Sequence, residues 1–563
     1  MTAAGRAKYD SDMSEAGLNP RNTLIVILLA LALLAAACGG NGGSGSPAPR
    51  ATSTSGADAT QTPQVSPPTV RGPTLDLATN PPRLTVLGID SGDFAGGVPS
   101  LGHGDFNGDG LGDILIGAPF GDGPDNSRPE AGEAYVVFGS SDLPESLDLA
   151  KKEPDVTIFG ANDGDGLGFS VLGADINGDG TDDVIVEGPG TSGTEDPRTD
   201  QGEVLVFFGS PDLGGTLDVA DGPESMRTSG AEGFSRLGQA MAVGDVNGDG
   251  RNDLILGAPF AGREPGSRPG SPRTTVGEVY VIFGRSSLPG YVSIVRGRQD
   301  FTISGAQERG QFGAALAAGD VNDDGIDDII VGAPQSNRAD GAEAAGATYV
   351  FFGAKDLSGR ISIADGAQDF SVLGSKDSYN VGFPLLTADV NGDGIEDLAI
   401  GARRVAGPAG DREAGGAVYV AFGRGDLSGT LDLSKDQPDA AVFGGQTGEL
   451  VPSGLAAADI DGDGAADLVL GSGFAGGSEE RSGSGLVYVV LGSADLGVLD
   501  LASGEPKLTV VGIHRDDSLG SAIAIAGVTD GDQPQLLLMA AGADGATADT
   551  GAVYVVDIDT VGD

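Results

Sequence analysis

One nine-residue acidic loop occurs six times in this sequence, at intervals of about seventy residues. The copies begin at positions 105, 175, 245, 320, 389 and 459, and the first reads DFNGDGLGD. Positions 1, 5 and 9 of the loop are Asp in every copy, and position 3 is Asn or Asp. Calcium ions prefer about six to eight hard oxygen ligands and tolerate flexible geometry. The loops therefore predict about six Ca²⁺ sites, one in each copy.

The predicted ligands are the side-chain oxygens at positions 1, 3, 5 and 9 and the backbone carbonyl at position 7, where the residue type varies freely. Position 6 is always Gly, as expected where the chain turns sharply around an ion with positive φ. No catalytic residue and no residue binding an organic cofactor is predicted. The predicted metal ligands are Asp105, Asn107, Asp109, Leu111, Asp113, Asp175, Asn177, Asp179, Thr181, Asp183, Asp245, Asn247, Asp249, Arg251, Asp253, Asp320, Asn322, Asp324, Ile326, Asp328, Asp389, Asn391, Asp393, Ile395, Asp397, Asp459, Asp461, Asp463, Ala465 and Asp467.

Two other interpretations of the loop are weaker. It matches the start of an EF-hand loop, but it is too short and strands flank it. Asp, Asn and Gly also form metal-free turns, yet six copies in register argue against a chance match, and crowded carboxylates would repel one another without a cation. A degenerate seventh copy near 530, aligned with Val528 at position 1 and Leu536 at position 9, is expected to bind no ion.

The segments between the loops indicate the elements that must position them. Each unit contains a Gly-ended apolar strand, a strand entering the acidic loop, a strand ending near GAP and a GxVYVxFG strand. Four β-strands in about seventy residues are the content of one propeller blade, so the sequence predicts an all-β, seven-bladed propeller of four-stranded antiparallel blades. The last unit is one strand short, and an orphan strand, Leu84–Gly88, precedes the first; we expect it to complete the last blade.

Composition excludes several classes of partner. The chain has 82 acidic and 32 basic residues and a formal charge of −50. Nucleic acids and anionic membrane surfaces would be repelled, whereas divalent cations are the natural counter-charge. A single cysteine among 563 residues leaves no disulfide framework. The propeller itself is expected to be a monomer.

The N-terminus predicts export. Residues 1–37 end in an apolar run, Leu24–Ala37, that suits a secretory signal but is too short to span a bilayer. Small residues before Cys38 resemble the lipobox of bacterial lipoproteins, which implies lipidation of Cys38 and a location at the outer surface of a bacterial membrane. A plain cleaved signal is the alternative, and translation starting at Met13 is another open point. Residues 38–73, rich in Gly, Ser, Pro and Thr, predict a disordered tether, and 82–558 the propeller.

The same units resemble FG-GAP repeats, the blades of the integrin α-subunit β-propeller. FG occurs in TIFG and GAP in IGAPF, LGAPF and VGAP, on either side of the acidic loop. The resemblance implies a seven-bladed propeller with Ca²⁺ in hairpin loops on one face and partner binding mainly on loops of the opposite face. The resemblance implies the propeller module but not an integrin-like role as a signalling receptor.

Several other motifs have simpler explanations. Arg424-Gly425-Asp426 is the tripeptide that integrins recognise, but other units read GSSDL or GAKDL there, so the Asp belongs to a recurring turn. His103 and His514 do not recur and have no obvious nucleophile nearby. Six tyrosines share one slot of the GxVYV strand, which indicates blade packing rather than a sugar-binding platform: Tyr135, Tyr280, Tyr349, Tyr419, Tyr488 and Tyr554.

The leading functional hypothesis is a membrane-tethered extracellular module that binds a protein or a glycan through loops that do not repeat. Candidate loops begin at Ala306 and Ile513, and a long loop after GAP carries Arg263, Arg268 and Arg273. The alternatives are a hydrolase with its site in the propeller channel or on the loop face, and a purely structural envelope protein.

Overall fold

A computed structural model describes residues 72–89, 92–93, 100–190, 201–230, 233–262, 275–376, 378–476, 481–529, 534–544 and 550–557. The predicted signal 1–37, Cys38, nearly all of the tether 38–73 and the basic loop carrying Arg263, Arg268 and Arg273 lie outside the described residues. None of the helices among the described residues has the length and apolar character needed to cross a membrane.

The regular secondary structure of the described chain is almost entirely β-strand. Four short 3₁₀ helices span Pro124–Asn126, Val219–Asp221, Ile294–Arg296 and Ile363–Asp365. The strands in the first half are β1 (Thr74–Asp76), β2 (Leu84–Leu87), β3 (Leu101–Gly104), β4 (Asp113–Ala118), β5 (Glu133–Val137), β6 (Ser146–Asp148), β7 (Val156–Phe159), β8 (Ser170–Ala174), β9 (Asp183–Gly188), β10 (Glu203–Phe207), β11 (Gly215–Asp218), β12 (Met226–Ser229), β13 (Met241–Gly244), β14 (Asp253–Ala258), β15 (Glu278–Ile282), β16 (Tyr291–Ser293) and β17 (Phe301–Ser304).

The second half continues the same succession of short strands. They are β18 (Ala315–Gly319), β19 (Asp328–Ala333), β20 (Ala347–Phe351), β21 (Gly359–Ser362), β22 (Phe370–Leu373), β23 (Leu385–Ala388), β24 (Asp397–Ala402), β25 (Ala417–Ala421), β26 (Gly429–Asp432), β27 (Ala440–Phe443), β28 (Leu455–Ala458), β29 (Asp467–Ser472), β30 (Leu486–Val490), β31 (Val498–Asp500), β32 (Leu508–Val511), β33 (Leu519–Ala526), β34 (Gln535–Ala540) and β35 (Ala552–Asp557).

These strands form seven five-stranded sheets, which confirms the predicted all-β seven-bladed propeller. Blade 1 contains β3, β4, β5, β7 and β11; blade 2 contains β8, β9, β10, β12 and β16; blade 3 contains β13, β14, β15, β17 and β21; blade 4 contains β18, β19, β20, β22 and β26; blade 5 contains β23, β24, β25, β27 and β31; blade 6 contains β28, β29, β30, β32 and β1; blade 7 contains β33, β34, β35, β2 and β6. First strands of successive blades contact one another around the ring.

Each blade has one strand more than the four predicted. Between its third and fourth strands, the chain crosses to the preceding blade and adds a short strand parallel to that blade's outer edge. Thus β11 belongs in sequence to blade 2 but pairs with β7 of blade 1, from Gly215↔Val156 to Asp218↔Phe159. The fourth strand of each described blade is therefore paired on its outer side with a short strand of another unit, so only that short strand presents an open edge.

The N-terminal strands lie in the last two blades. β2 pairs antiparallel with β35, from Leu84↔Val555 to Leu87↔Ala552. β1 pairs in parallel with β32 of blade 6, from Thr74↔Thr509 to Asp76↔Val511. The structured region thus begins before the predicted boundary at 82. Residues 74–78 (TLDLA) copy SLDLA at 146–150, so the sequence did contain the signal for this crossing strand.

The hydrophobic core lies between adjacent blades. Second strands are buried along their whole length, as in β4 and β24. One cluster joins Leu84 and Val86 of blade 7 to Ile114 and Ile116 of blade 1. Five tyrosines of the recurring slot are buried in this packing, whereas Tyr349 is partly exposed: the buried ones are Tyr135, Tyr280, Tyr419, Tyr488 and Tyr554.

Candidate metal centres

The six acidic loops are the hairpins between the first and second strands of blades 1 to 6. Position 1 follows the first strand, and position 9 is the first residue of the second strand. In blade 1, Gly104 pairs with Asp113, which places positions 1 to 8 in the hairpin loop. The equivalent pairs in blades 2 to 6 are Ala174↔Asp183, Gly244↔Asp253, Gly319↔Asp328, Ala388↔Asp397 and Ala458↔Asp467. All six loops therefore lie on one face, the cation-loop face.

The predicted glycine at position 6 is required by backbone conformation. Its φ is 89° at Gly110 and 94° at Gly180, and a Cβ added at either position would touch nothing within 4 Å. Position 4 also has positive φ, and in the fourth loop Asp323 adopts φ 59° there. Asp tolerates this left-handed region better than most residues.

Backbone amides orient the carboxylates at positions 1 and 5. In the first loop, Asp105 Oδ1 accepts from Asp109 N at 3.0 Å, and Asp105 Oδ2 accepts from Gly110 N at 2.9 Å. Asp109 Oδ1 accepts from Leu111 N at 2.9 Å. The other five loops contain the same three hydrogen bonds. Each carboxylate keeps further lone pairs for a cation.

The carboxylate at position 9 also connects three strands of its blade. Asp113 is fully buried; its Oδ2 accepts from Phe106 N and its Oδ1 from Gly139 N, both at 2.8 Å. Gly139 is the glycine of the FG motif after the third strand. In the other loops the corresponding FG glycines donate in the same way: Gly209, Gly284, Gly353, Gly423 and Gly492. Position 9 therefore has a scaffold role that spacing alone did not reveal.

Burial raises the pKa of these six carboxyl groups. The pKa rises to about 7 at Asp113 and to about 8 at Asp328, with burial as the largest cause. Backbone donors oppose the rise, and the carboxylates at positions 1 and 5 add to it. A divalent cation in the loop would reverse this preference, because an adjacent opposite charge favours the ionised form.

Position 3 supplies an amide oxygen in five loops. Asn322 is buried; its Nδ2 donates to Asp328 Oδ1 at 3.0 Å, while its Oδ1 has no hydrogen-bond partner. An orphaned buried oxygen beside two carboxylates fits a hard cation such as Ca²⁺. In the sixth loop position 3 is Asp461, and the ligand atoms of Asp459, Asp461 and Asp463 all lie within 4.8 Å of one another.

Successive loops are hydrogen-bonded to each other around the face. Asp182, at position 8 of the second loop, accepts from Asp105 N at 2.9 Å, and its own N donates to Asp105 O at 3.1 Å. Asp327 accepts from Asp245 N at 2.7 Å in the same manner. Position 8 was not among the predicted site residues; its acidic character in three copies was the available signal.

The seventh loop is one residue out of the register inferred from sequence. Val528 N donates to Gln535 Oε1 at 2.9 Å, as Phe106 N does to Asp113, and Ala526 pairs with Gln535. Gly527 therefore occupies position 1 and Gln535 position 9, not Val528 and Leu536. A neutral amide here makes the position-9 contact without a carboxylate. With Gly at position 1 this loop offers fewer cation ligands than the other six.

Three residues considered in the sequence analysis are not among the predicted cation ligands: Arg424, His103 and His514. Arg424 follows β25 on the cation-loop face, where its N donates to Val321 O of the fourth loop at 3.0 Å. His103 lies exposed on the inner strand β3, and His514 lies exposed between β32 and β33. His514 N donates to Asp517 Oδ2 at 2.8 Å, which satisfies a backbone group rather than a nucleophile.

Comparison with known proteins agrees with this geometry. The FG-GAP repeat model matches five segments: 97–137, 237–282, 312–351, 385–420 and 451–490. These segments cover the loop and following strands of blades 1, 3, 4, 5 and 6. Blades 2 and 7 lie outside the matched segments; they read Glu187-Gly188-Pro189 and Met539-Ala540-Ala541 where blades 1, 3 and 4 read GAP. The chain thus contains FG-GAP repeats.

Curated relatives include phosphatidylinositol-glycan-specific phospholipases D and integrin alpha chains. The chain is 38% identical over 215 residues to human phosphatidylinositol-glycan-specific phospholipase D, covering 38% of this chain and 23% of that protein. The bovine protein is 40% identical over 170 residues, covering 30% and 19% respectively. Integrin alpha pat-2 of Caenorhabditis elegans is 33% identical over 247 residues, covering 43% and 18%. The chain therefore spans less than a quarter of each of these relatives.

Proposed function

We propose that this propeller is an extracellular binding module whose blades are stiffened by about six Ca²⁺ ions and whose opposite face engages a macromolecular ligand, a protein or a glycan. The observation that carries the proposal is the arrangement of the six loops. Each directs oxygens from three or four side chains into one hairpin, and all six hairpins share one face and are hydrogen-bonded in part to one another. Similarity to integrin alpha chains supports a binding role.

The cations would act on the scaffold rather than on a reaction. Extracellular modules bind Ca²⁺ with dissociation constants of about 10⁻⁴ to 10⁻³ M. At about 2 mM Ca²⁺ and a constant of about 10⁻⁴ M, each site would stabilise the folded state by about 1.8 kcal/mol. Such binding couples loop order to blade order, because position 9 also holds the FG glycine after the third strand.

The ligand is expected on the face opposite the cation loops. Loops from the fourth strand of one blade to the first strand of the next lie there, and they expose residues that do not repeat. Glu308 and Arg309 are exposed in the loop that begins at Ala306, and Arg515 and Asp516 in the loop that begins at Ile513. Arg424-Gly425-Asp426 lies on the other face, which does not favour it as a ligand contact.

A surface-binding assay tests the proposal. Purified protein is applied to an array of matrix proteins and glycans in 2 mM Ca²⁺ and again in chelator, with binding isotherms measured for each positive. Saturable binding that is lost in chelator and restored by Ca²⁺ is expected. Binding to no array member, or binding indifferent to chelator with an unchanged melting temperature, would refute the calcium-stiffened module.

Anchoring forms a separate part of the proposal. We infer that the chain is exported and held at the outer surface of a bacterial membrane by a lipid on Cys38. Labelling with a fatty-acid analogue is expected to mark the wild-type protein but not Cys38→Ser, which should appear in the medium. Unlabelled wild-type protein found in the medium would favour the plain cleaved signal.

Hydrolysis is the second candidate, because two of the similar proteins are named as phospholipases. The chain covers at most 23% of those proteins, so their activity is an alternative rather than the leading function. Assaying the purified propeller for release of a glycosylphosphatidylinositol-linked reporter decides between them. Turnover above that of heat-denatured protein would overturn the binding-module proposal.

A further inference from the structure

Blade 5 departs from the repeat directly after its second strand, on the face opposite the cation loops. Four blades have a proline at that position, whereas blade 5 has Arg403, followed by Arg404. Those prolines are Pro119, Pro189, Pro259 and Pro334. Facing Arg403 is Phe383; the equivalent residue is Phe169 in blade 2 and the smaller Ala314 and Ser453 in blades 4 and 6. The scaffold evidently does not need arginine here, since other blades form without it.

Phe383 holds the Arg403 guanidinium in place. Phe383 forms a bridge with Ala402, and Arg403 Cζ lies 6.0 Å from the centre of the Phe383 ring. This is a cation–π contact, which fixes the orientation of a guanidinium. Phe383, Arg403 and the inner strand β23 are all partly exposed. The pair therefore lies at the rim of the central opening of the ring, within reach of solvent.

The Arg403 guanidinium has no anionic partner within the described part of the chain. No ion pair or hydrogen bond joins it to a described residue, and its Nε is shielded from solvent without an acceptor. Desolvation, and then the charge of Arg404, lower the pKa of Arg403 to about 10. The chain has 82 acidic and 32 basic residues, yet none of the described carboxylates forms an ion pair with Arg403.

Two further basic side chains of blade 5 and the loop before it are exposed. Lys376, exposed in the loop before β23, lies with its Nζ 5.7 Å from the centre of the Tyr379 ring. Arg404 is exposed beside Arg403. Two neighbouring guanidinium groups repel each other until an anion lies between them. Arginine presents donors in a planar fork that matches a carboxylate.

We propose that Arg403 and Arg404 form a site for the carboxylate of an acidic sugar, so that the ligand of the module is a uronate-containing glycan. This rests on the proposed function, because it names the ligand class of that binding face. An acidic protein would have to place a broad surface against a body of charge −50. A short oligosaccharide covers only the rim, and beyond about 8 Å the repulsion is screened at physiological salt.

The test uses a hyaluronan hexasaccharide, which alternates glucuronate with a neutral sugar, and its carboxyl-reduced form as the neutral control. Binding constants are measured in 2 mM Ca²⁺ for the wild type, the double variant Arg403→Gln/Arg404→Gln and the variant Arg424→Gln. The last removes one positive charge from the cation-loop face. The double variant is expected to bind the hexasaccharide about tenfold or more weakly, with Arg424→Gln unchanged within about twofold and the reduced sugar unbound.

Three results would overturn the inference: wild-type protein that does not bind the hexasaccharide, equal affinity in the wild type and the double variant, or tighter binding of an oligo-glutamate peptide. Arg404→Gln alone serves if the double variant does not fold, because Arg404 is exposed. The array assay distinguishes refutation of the uronate site from refutation of the proposed Ca²⁺-dependent binding module. A protein that binds an array member in a Ca²⁺-dependent manner but ignores uronates leaves the proposed function standing and removes only this site.

Discussion

The ion pair between Arg481 and Asp76 should control detachment of the N-terminal strands. Arg481 Nη1 and Nη2 donate to the two carboxylate oxygens of Asp76, both at 2.7 Å, across 405 positions of sequence. Arg481 Nη1 also donates to Gly512 O at 3.0 Å. The pair joins β1 to blade 6, and β1 precedes the strand β2 that pairs with β35. Asp76→Asn keeps the shape of the side chain and removes its charge.

The size of the effect follows from the geometry and exposure of the pair. Both side chains are 27% exposed, so solvent screens part of the attraction, but the contact is bidentate. A pair of this kind contributes about 1–2 kcal/mol, between an exposed ion pair and a buried charge-assisted hydrogen bond. β1 is the outermost strand of its sheet, so residues 74–88 can open locally, and their opening equilibrium should rise about 5- to 30-fold.

Hydrogen exchange followed by mass spectrometry measures this opening. The matched control is Asp218→Asn, which removes an equivalent contact with Arg128, at 2.7 and 2.6 Å, inside the continuous chain of blades 1 and 2. Faster exchange of residues 74–88 is expected in Asp76→Asn only. Exchange there within about twofold of the wild type, or an equal increase in Asp218→Asn, would refute the reasoning.

The pH dependence of this contact has a definite sign. Arg481 lowers the pKa of Asp76 below its usual value, so the carboxylate is ionised more readily in the folded state. The stabilisation is present above the unfolded pKa and is lost as pH falls through the folded one. The difference in exchange between the wild type and Asp76→Asn should therefore shrink as the solution is made more acidic than about pH 4.

Three further outcomes are expected. Asp459→Ala should lower bound Ca²⁺ by about one ion and lower the melting temperature, while Asp461→Asn, which copies the other loops, should retain the ion; equal loss in both, by equilibrium dialysis, would contradict the ligand assignment. Burial raises the pKa of Glu203 to about 7, and Arg227 opposes the rise. Folding therefore favours the protonated carboxyl group, so the stability contributed by Glu203 falls as the pH rises from about 4.5 to 7. Glu203→Gln should flatten that part of the profile of melting temperature against pH, and parallel profiles for the two proteins would exclude the effect. Deleting residues 82–88 should destabilise the protein far more than their number suggests, because β2 and its contacts in blade 7 are lost; an unchanged melting temperature would show that the ring does not need this strand.

Local repetition made much of the fold predictable. The acidic loop, the Gly-ended strand and the GxVYVxFG strand recur together, so each copy constrains the others and the number of blades follows. The position-6 glycines were assigned correctly to positive φ because that requirement is local. The degenerate seventh loop was misaligned by one residue, since it has no Asp at position 1 or 9 and only strand pairing placed Gln535 opposite Ala526.

The sequence did not indicate which strands of different units pair with each other. The crossing strands are three or four residues long, too short for a periodic pattern, and each pairs with a strand of another unit. The link between Asp105 and Asp182 joins residues 77 positions apart. Arg403 was not predicted as a site residue, although it replaces a proline of other units in the sequence.

The amino-acid sequence by itself therefore determined the repeated unit: its strands, its acidic hairpin, and the chemistry of hard oxygens that the hairpin offers. These follow from local spacing and residue type, which act within one unit. The tertiary structure alone decided which unit adds a strand to which blade and that position 9 holds three strands together. It also decided that no described carboxylate pairs with the Arg403 guanidinium. Such properties depend on burial and on neighbours brought together by closing the ring, and a linear pattern does not specify them.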